Sequence, residues 1–179
     1  MIDRLAAQLL DQTLRKSRCD VSLDSSTGLY ALFLKPGHAL QELPLSNGAL
    51  IYLGKAEGAG GLKSRCHFNG GTRNHSLRKS LAVLLENELK LVPRPIANPD
   101  GSYKTWALDR QSEAALDQWM LTNLDVAYTT MQGATGFEMQ LIDLLNPAIN
   151  LNGCHQGEGH HLIKQLRRRM DERMKLSRS

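Results

Sequence analysis

With 179 residues and 41% hydrophobic content, the chain has the length of one domain and enough apolar mass for a core. No apolar run reaches the length of a membrane span, and three dispersed cysteines (Cys19, Cys66 and Cys154) argue against a disulfide scaffold and for a reducing compartment, so a soluble, cytoplasmic protein is expected. The net charge of +4 is carried by the C-terminal end: from Gly153 onward seven basic residues face three acidic ones, and the rest of the chain is balanced.

Ile2, Leu5, Leu9, Leu10 and Leu14 follow amphipathic spacing, which predicts an N-terminal helix. Charges lie within it, so it does not read as a signal peptide. Gly28–Leu34 is an apolar run of strand length, and Ala49–Leu53 is a second one. The turn chemistry between them, Pro36-Gly37, Pro44 and Asn47-Gly48, makes the pair a hairpin with a long loop. Gly58 to Gly61 breaks the chain before a short helix. Ser76 to Leu91 predicts a helix with Leu77, Leu81, Leu84, Leu85 and Leu89 on one face.

Val92 to Gly101 holds three prolines and reads as a loop. Tyr103 to Leu108 reads as a strand, and Ser112 as the cap of a helix reaching about Asn123. A strand over Asp125 to Met131 follows, then a helix from about Gly136 to Leu145, stopped by Asn146-Pro147. A basic helix closes the chain at about 159–177. The expected fold is α+β. It has a small, mostly antiparallel sheet of about three strands, flanked by helices, in a single domain spanning 1–179.

The glycine-crowded stretch Ile51-Tyr-Leu-Gly-Lys-Ala-Glu-Gly-Ala-Gly-Gly-Leu-Lys-Ser-Arg65 raises the possibility of a phosphate-cradling loop. Such a loop needs glycine directly before its Lys-Ser pair, so that backbone N–H groups can wrap the phosphate. Leu62 stands there instead. A flexible turn between a strand and a helix is the better reading.

The flanking residues form a different pattern. Gly28-Leu29-Tyr30 and Tyr52-Leu53-Gly54 lie on the paired strands. Lys55, Arg65, His67 and His75 follow, and Glu138 and Asn150 come far downstream in "FEMQLIDLLNPAIN". This set, in this order, resembles the GIY-YIG nuclease superfamily, over a core of about 26–152. The resemblance implies a DNA endonuclease. Tyr30 or Tyr52 would be the general base, with Lys55 as a neighbouring cation. Arg65 would brace the transition state, and Glu138 would hold one Mg²⁺ or Mn²⁺ per active site. His67 or His75 would contact phosphate or share a proton, and Asn150 would orient its partners. DNA is the implied partner, and cutting both strands would favour a homodimer or sequential nicking.

A basic helix is also an electrostatic footprint of nucleic-acid binding. It makes Arg167, Arg168, Arg169 and Arg173 candidate DNA contacts, together with Lys63, Arg73, Arg78 and Lys79 nearer the motifs.

Plainer readings stand beside these. Thr135-x-x-Glu138 is a capping-box pattern, so Glu138 could simply close a helix. The tyrosines could be ordinary strand residues, and the basic tail a solvated helix. Cys154-His155 and His160-His161 match no ordinary zinc spacing. A GIY-YIG-like module that binds DNA or protein without cutting is the alternative from another class.

Overall fold

Every side chain of β2 (Gly28–Leu34) is buried, so this strand must be covered on both faces and both edges. The computed structural model describes residues 1–17, 25–40, 43, 45, 49–65, 70–151 and 158–178. In it β2 pairs antiparallel with β3 (Leu50–Ala56) on one side and with β6 (Leu124–Thr130) on the other. A two-residue strand, β1 (Lys16–Ser17), extends the sheet beyond β6, giving the order β1-β6-β2-β3. Among the described residues the sheet thus has four strands, where about three were expected. The extra strand is too short to leave any alternation in the sequence.

Alternation along β2 selects the core. Leu29, Ala31 and Phe33, with Leu50 and Leu53 of β3, pack against Ala6 and Leu9 of α1 (Ile2–Leu10). Leu141, Ile142 and Leu145 of α5 (Thr135–Leu145) join the same cluster. The N-terminal helix stops sooner than its spacing predicts. Asp11 accepts a hydrogen bond from the Thr13 N–H at 2.9 Å and starts a 3-10 turn over Gln12–Leu14, which leaves Leu14 exposed.

At its other end α5 closes as expected, with Asn146 in the left-handed region at φ 44°. The chain then returns along the outer edge of β3. The Ile149 N–H donates to the Ile51 carbonyl at 2.9 Å, and the Ala148 N–H to the Leu50 carbonyl at 3.3 Å.

The residue contacts divide the chain into two compact units. The first is Met1–Cys66 with Leu121–His160; the second is His67–Met120 with His161–Ser179. The second unit contains α3 (Ser76–Leu89), the hairpin of β4 (Pro93–Ala97) and β5 (Tyr103–Leu108), most of α4 (Arg110–Asn123) and most of α6 (Glu158–Leu176). Within it α6 is tied to α3 by Arg167, which donates to the Ser76 hydroxyl at 3.0 Å, and by the Arg173–Glu86 ion pair.

Two expectations are corrected here. The proline-rich stretch after α3 is not a loop, because Pro93 to Ala97 pairs with β5. Residues two apart on a strand turn their N–H positions to the same side, so Pro93 and Pro95 sacrifice donors on one edge only. Ser112 is not a helix cap either. The helix already runs from Arg110, and Asp109 accepts the Ser112 N–H at 2.9 Å. The Ser112 hydroxyl instead accepts the Val92 N–H at 2.8 Å. Among the described residues, no helix is long and apolar enough to cross a membrane.

Candidate active site

Register places the two motif tyrosines. Tyr30 lies opposite Gly54, and Leu32 opposite Tyr52, so Tyr30, Tyr52 and Gly54 share one face of the hairpin. The rings are 6.2 Å apart between centroids and tilted by 35°. Tyr30 is buried and Tyr52 half-buried.

Glycine at 54 is a steric requirement of this arrangement. A Cβ there would lie 2.6 Å from the Tyr30 Oη and 3.0 Å from Cε1 of Tyr52. Gly28 answers to a different crowding: its Cβ would fall 2.1 Å from the carbonyl oxygen of Thr129 on β6. The glycines of the two tripeptides therefore have separate jobs. One lets strands approach, and the other leaves room for a phenol.

Asn150 completes the edge of β3. Its side-chain oxygen accepts the Leu53 N–H at 2.8 Å, and its amide donates to the Leu53 carbonyl at 2.8 Å. The side chain acts as one residue of an additional strand and fixes the backbone between Tyr52 and Gly54. Asn150 is buried. Both polar atoms of the amide are thereby engaged with the backbone of β3.

Lys55 follows Gly54, and alternation turns it to the face that carries α5. Its ammonium donates to the Thr135 hydroxyl at 2.6 Å and lies 3.6 Å from a carboxylate oxygen of Glu138. Both ionic side chains keep partial access to water. The Thr135 N–H donates to Glu57 at 2.7 Å, and the Thr135 hydroxyl also bonds the Glu57 carboxylate. These bonds hold the Glu57 carboxyl below its ordinary range, the hydroxyl contributing most and the backbone N–H next.

The capping-box reading of Thr135 and Glu138 fails on this geometry. Ala134 occupies the N-cap position, no side chain of the helix caps it, and the Thr135 hydroxyl points to Glu57. Glu138 is left facing Lys55. Neither Glu57 nor Thr135 was singled out from the sequence as a site residue. The available signal is the two-residue step from Lys55 to Glu57, which would put both on one side of an extended chain; β3 itself ends at Ala56.

The glycine cluster forms a turn rather than a phosphate cradle. Gly61 has φ +48°, and a Cβ on it would lie 2.2 Å from the carbonyl oxygen of Ser25. From that close approach α2 (Gly61–Arg65) starts and packs on β2 and β3. Lys63 is exposed on α2, and Arg65 is its last residue. The Arg65 side chain and all of His67 lie outside the described residues, as do Cys154 and His155.

The remaining candidates belong to the second unit. His75 precedes the first turn of α3, and Arg73 is exposed beside it. Arg78 is corrected outright. It is fully buried, donating to Glu113 at 2.6 Å and forming a second ion pair with Asp117, so its charge cannot meet a DNA phosphate. Lys79 donates to the Thr105 hydroxyl at 2.5 Å and lies 5.0 Å above the Trp106 ring; burial lowers its pKa. On α6, Arg168 and Arg169 are exposed, whereas Arg167 and Arg173 are engaged with α3.

A family model described as the GIY-YIG catalytic domain matches residues 28–172. No curated protein and no solved structure matches the chain.

Proposed function

The chain belongs to the GIY-YIG catalytic-domain family, and from that premise we propose that it is a divalent-metal-dependent DNA endonuclease. The observation that carries this reading is the pair of motif tyrosines held ring to ring over Gly54, a glycine that could not be replaced without displacing them. Hydrolysis of a phosphodiester needs a base for the attacking water, positive charge around the phosphoryl oxygens and help for the leaving oxygen. In this reading, Tyr30 or Tyr52 accepts the proton of the water. Arg65 grips the phosphoryl oxygens. Asn150 keeps the strand between Tyr52 and Gly54 in place.

Glu138 is the residue that would hold the metal, and the donor set fits. It is a hard carboxylate, a fifth exposed, and Lys55 is a cation already drawn to it. Among the described residues, no three His, Cys, Asp or Glu side chains gather, so the protein would supply few ligands, with water and a substrate phosphate as the others. Mg²⁺ or Mn²⁺ held there would supply Lewis-acid stabilisation of the leaving oxygen.

Tyr30 and Tyr52 lie on one face of the β2–β3 hairpin and Lys55 on the other. A phosphodiester at the end of β3, past the Asn150 bridge, borders both. Lys63, Arg73 and the exposed arginines of α6 are proposed as contacts to the DNA backbone, which fix position without reading sequence. The test is incubation with duplex, single-stranded and branched DNA under Mg²⁺ and under Mn²⁺, with Glu138→Gln as the control. Cleavage by the wild-type protein that disappears in the control supports the reading. Its absence on every substrate with both metals leaves the chain a non-cutting member of the family.

A further inference from the structure

We propose that Glu57 is a positioning residue for Glu138, acting as a clamp that caps α5 from outside the helix. The proposal rests on the reading of Glu138 as the metal-holding carboxylate.

A helix begins with N–H groups that have no partner in their own helix, and a side chain at the N-cap normally accepts one of them. At α5 that side chain is missing: the N-cap is Ala134, in the helical region, and makes no side-chain bond. The acceptor comes from the end of β3 instead. Glu57 takes the Thr135 N–H at 2.7 Å with one oxygen and bonds the Thr135 hydroxyl with the other. A carboxylate is favoured there by the helix dipole. The Thr135 hydroxyl, which donates to Glu57, accepts from the Lys55 ammonium at 2.6 Å.

The consequence follows from helical geometry. Thr135 and Glu138 are three residues apart and therefore neighbours on one side of the first turn. Fixing Thr135 fixes the turn that carries the Glu138 carboxylate. Holding the Lys55 ammonium at the same hydroxyl sets which cation faces that carboxylate. Glu57 therefore acts on Glu138 through Thr135 by two routes, one along the backbone and one through the lysine. The bonds that keep Glu57 ionised are the same ones that make the clamp.

A carboxylate near a metal-holding residue could also act through charge alone, and three variants separate the two roles. Glu57→Asp keeps the charge but is one methylene too short to span both bonds. Thr135→Val keeps the charge of Glu57 and removes the hydroxyl. Glu57→Gln removes the charge and keeps the shape, with an oxygen for the Thr135 N–H. The readouts are the Mn²⁺ dissociation constant from electron paramagnetic resonance titration of the full chain, and hydrogen exchange at the amides of 135–138.

The clamp predicts about a tenfold or larger rise in the Mn²⁺ dissociation constant for Glu57→Asp and Thr135→Val, with faster exchange in the first turn. It predicts near-wild-type behaviour for Glu57→Gln. The reverse pattern, a weakened Gln variant with the Asp and Val variants spared, overturns the clamp in favour of bare charge. Faster exchange with unchanged Mn²⁺ affinity overturns it in favour of a purely structural cap. A wild-type protein that binds no more Mn²⁺ than Glu138→Gln sinks the metal-site reading itself, and this result is distinguishable because it precedes any effect at Glu57.

Discussion

The two units put their charged residues to opposite uses. In the first, Lys55, Glu57 and Glu138 meet around one threonine at the end of a strand, and each keeps access to water. In the second, Arg78 has no exposed surface and is closed between Glu113 and Asp117. The difference decides what each cluster can do. A hydrated ion pair exchanges partners at little cost, so in the proposed mechanism Glu138 would leave Lys55 for a metal and Lys55 would turn to a phosphate. A buried arginine cannot leave its carboxylates without stranding charge in a poorly solvated site. In the proposed reading the first cluster serves turnover, whereas the second holds elements together.

The sharpest way to test the contrast is to remove one charge from each side. Glu138→Gln preserves size and helix propensity, and its carboxylate is not bonded to the backbone of its helix. Cleavage should fall by about 10³-fold or more, the loss of several kcal/mol of leaving-group stabilisation, while the melting temperature stays close to wild type. Arg78→Ala should do the converse. It leaves Glu113 and Asp117, one turn apart on α4, without the cation they share and should cost about 3 kcal/mol in denaturant unfolding. Cleavage per folded molecule should be retained. If instead Arg78→Ala leaves stability intact and flattens the salt dependence of DNA binding, Arg78 is a DNA contact after all and the contrast collapses.

The reason Arg78 misleads is instructive about what a sequence displays. It stands in a helix beside Lys79, and in one dimension nothing separates a buried base from an exposed one. Its partners come 35 and 39 residues later, at Glu113 and Asp117, one turn apart on α4. Only tertiary contact joins them. The prolines of β4 hide a strand in the same manner, because their cost depends on which edge is free.

The hairpin of β2 and β3, α3 and α5 were legible because their signals are local: apolar runs, leucine spacing and the Asn146-Pro147 stop. The tyrosine pair was legible because strand pairing converts two tripeptides into one face. Glu57 and Thr135 were not legible as partners, because they meet only when α5 docks on β3. The capping-box pattern pointed Thr135 back into its own helix.

Gly54 tests how tightly the tyrosine pair is built. Gly54→Ala introduces a Cβ 2.6 Å from the Tyr30 Oη, so the ring must move. Overpacking of this kind costs about 1–3 kcal/mol in stability. The cleavage rate should fall out of proportion to that, since a displaced phenol is no longer aligned with its water. Tyr30→Phe and Tyr52→Phe remove the hydroxyls and keep the rings, so both should melt near wild type and lose rate by unequal amounts. If Gly54→Ala and both Phe variants cut at the wild-type rate, the pair is packing only, and the general base lies elsewhere.

The smallest effect sharpens the comparison inside the second unit, because α6 itself divides its arginines. Arg167 and Arg173 are bonded to α3, whereas Arg168 is 82% exposed and pairs with Glu172 one turn away, and Arg169 is exposed as well. A surface pair of that kind contributes little to stability. Replacing Arg168 and Arg169 together by Gln keeps helix propensity and should leave unfolding unchanged. If both contact phosphates, the slope of log affinity against log salt should shrink by roughly 2, since each neutralised phosphate of duplex DNA adds about 0.9. The single-turnover rate at saturating DNA should hold, because neither residue belongs to the site on β3 and α5. Replacing Arg167 and Arg173 should give the opposite signature, a loss of stability with a smaller change in slope, since their guanidinium groups are already occupied. An equal change in slope from the two pairs would mean that DNA competes successfully with α3 for Arg167 and Arg173. In that case the whole of α6, and not its outer face alone, would follow the DNA backbone.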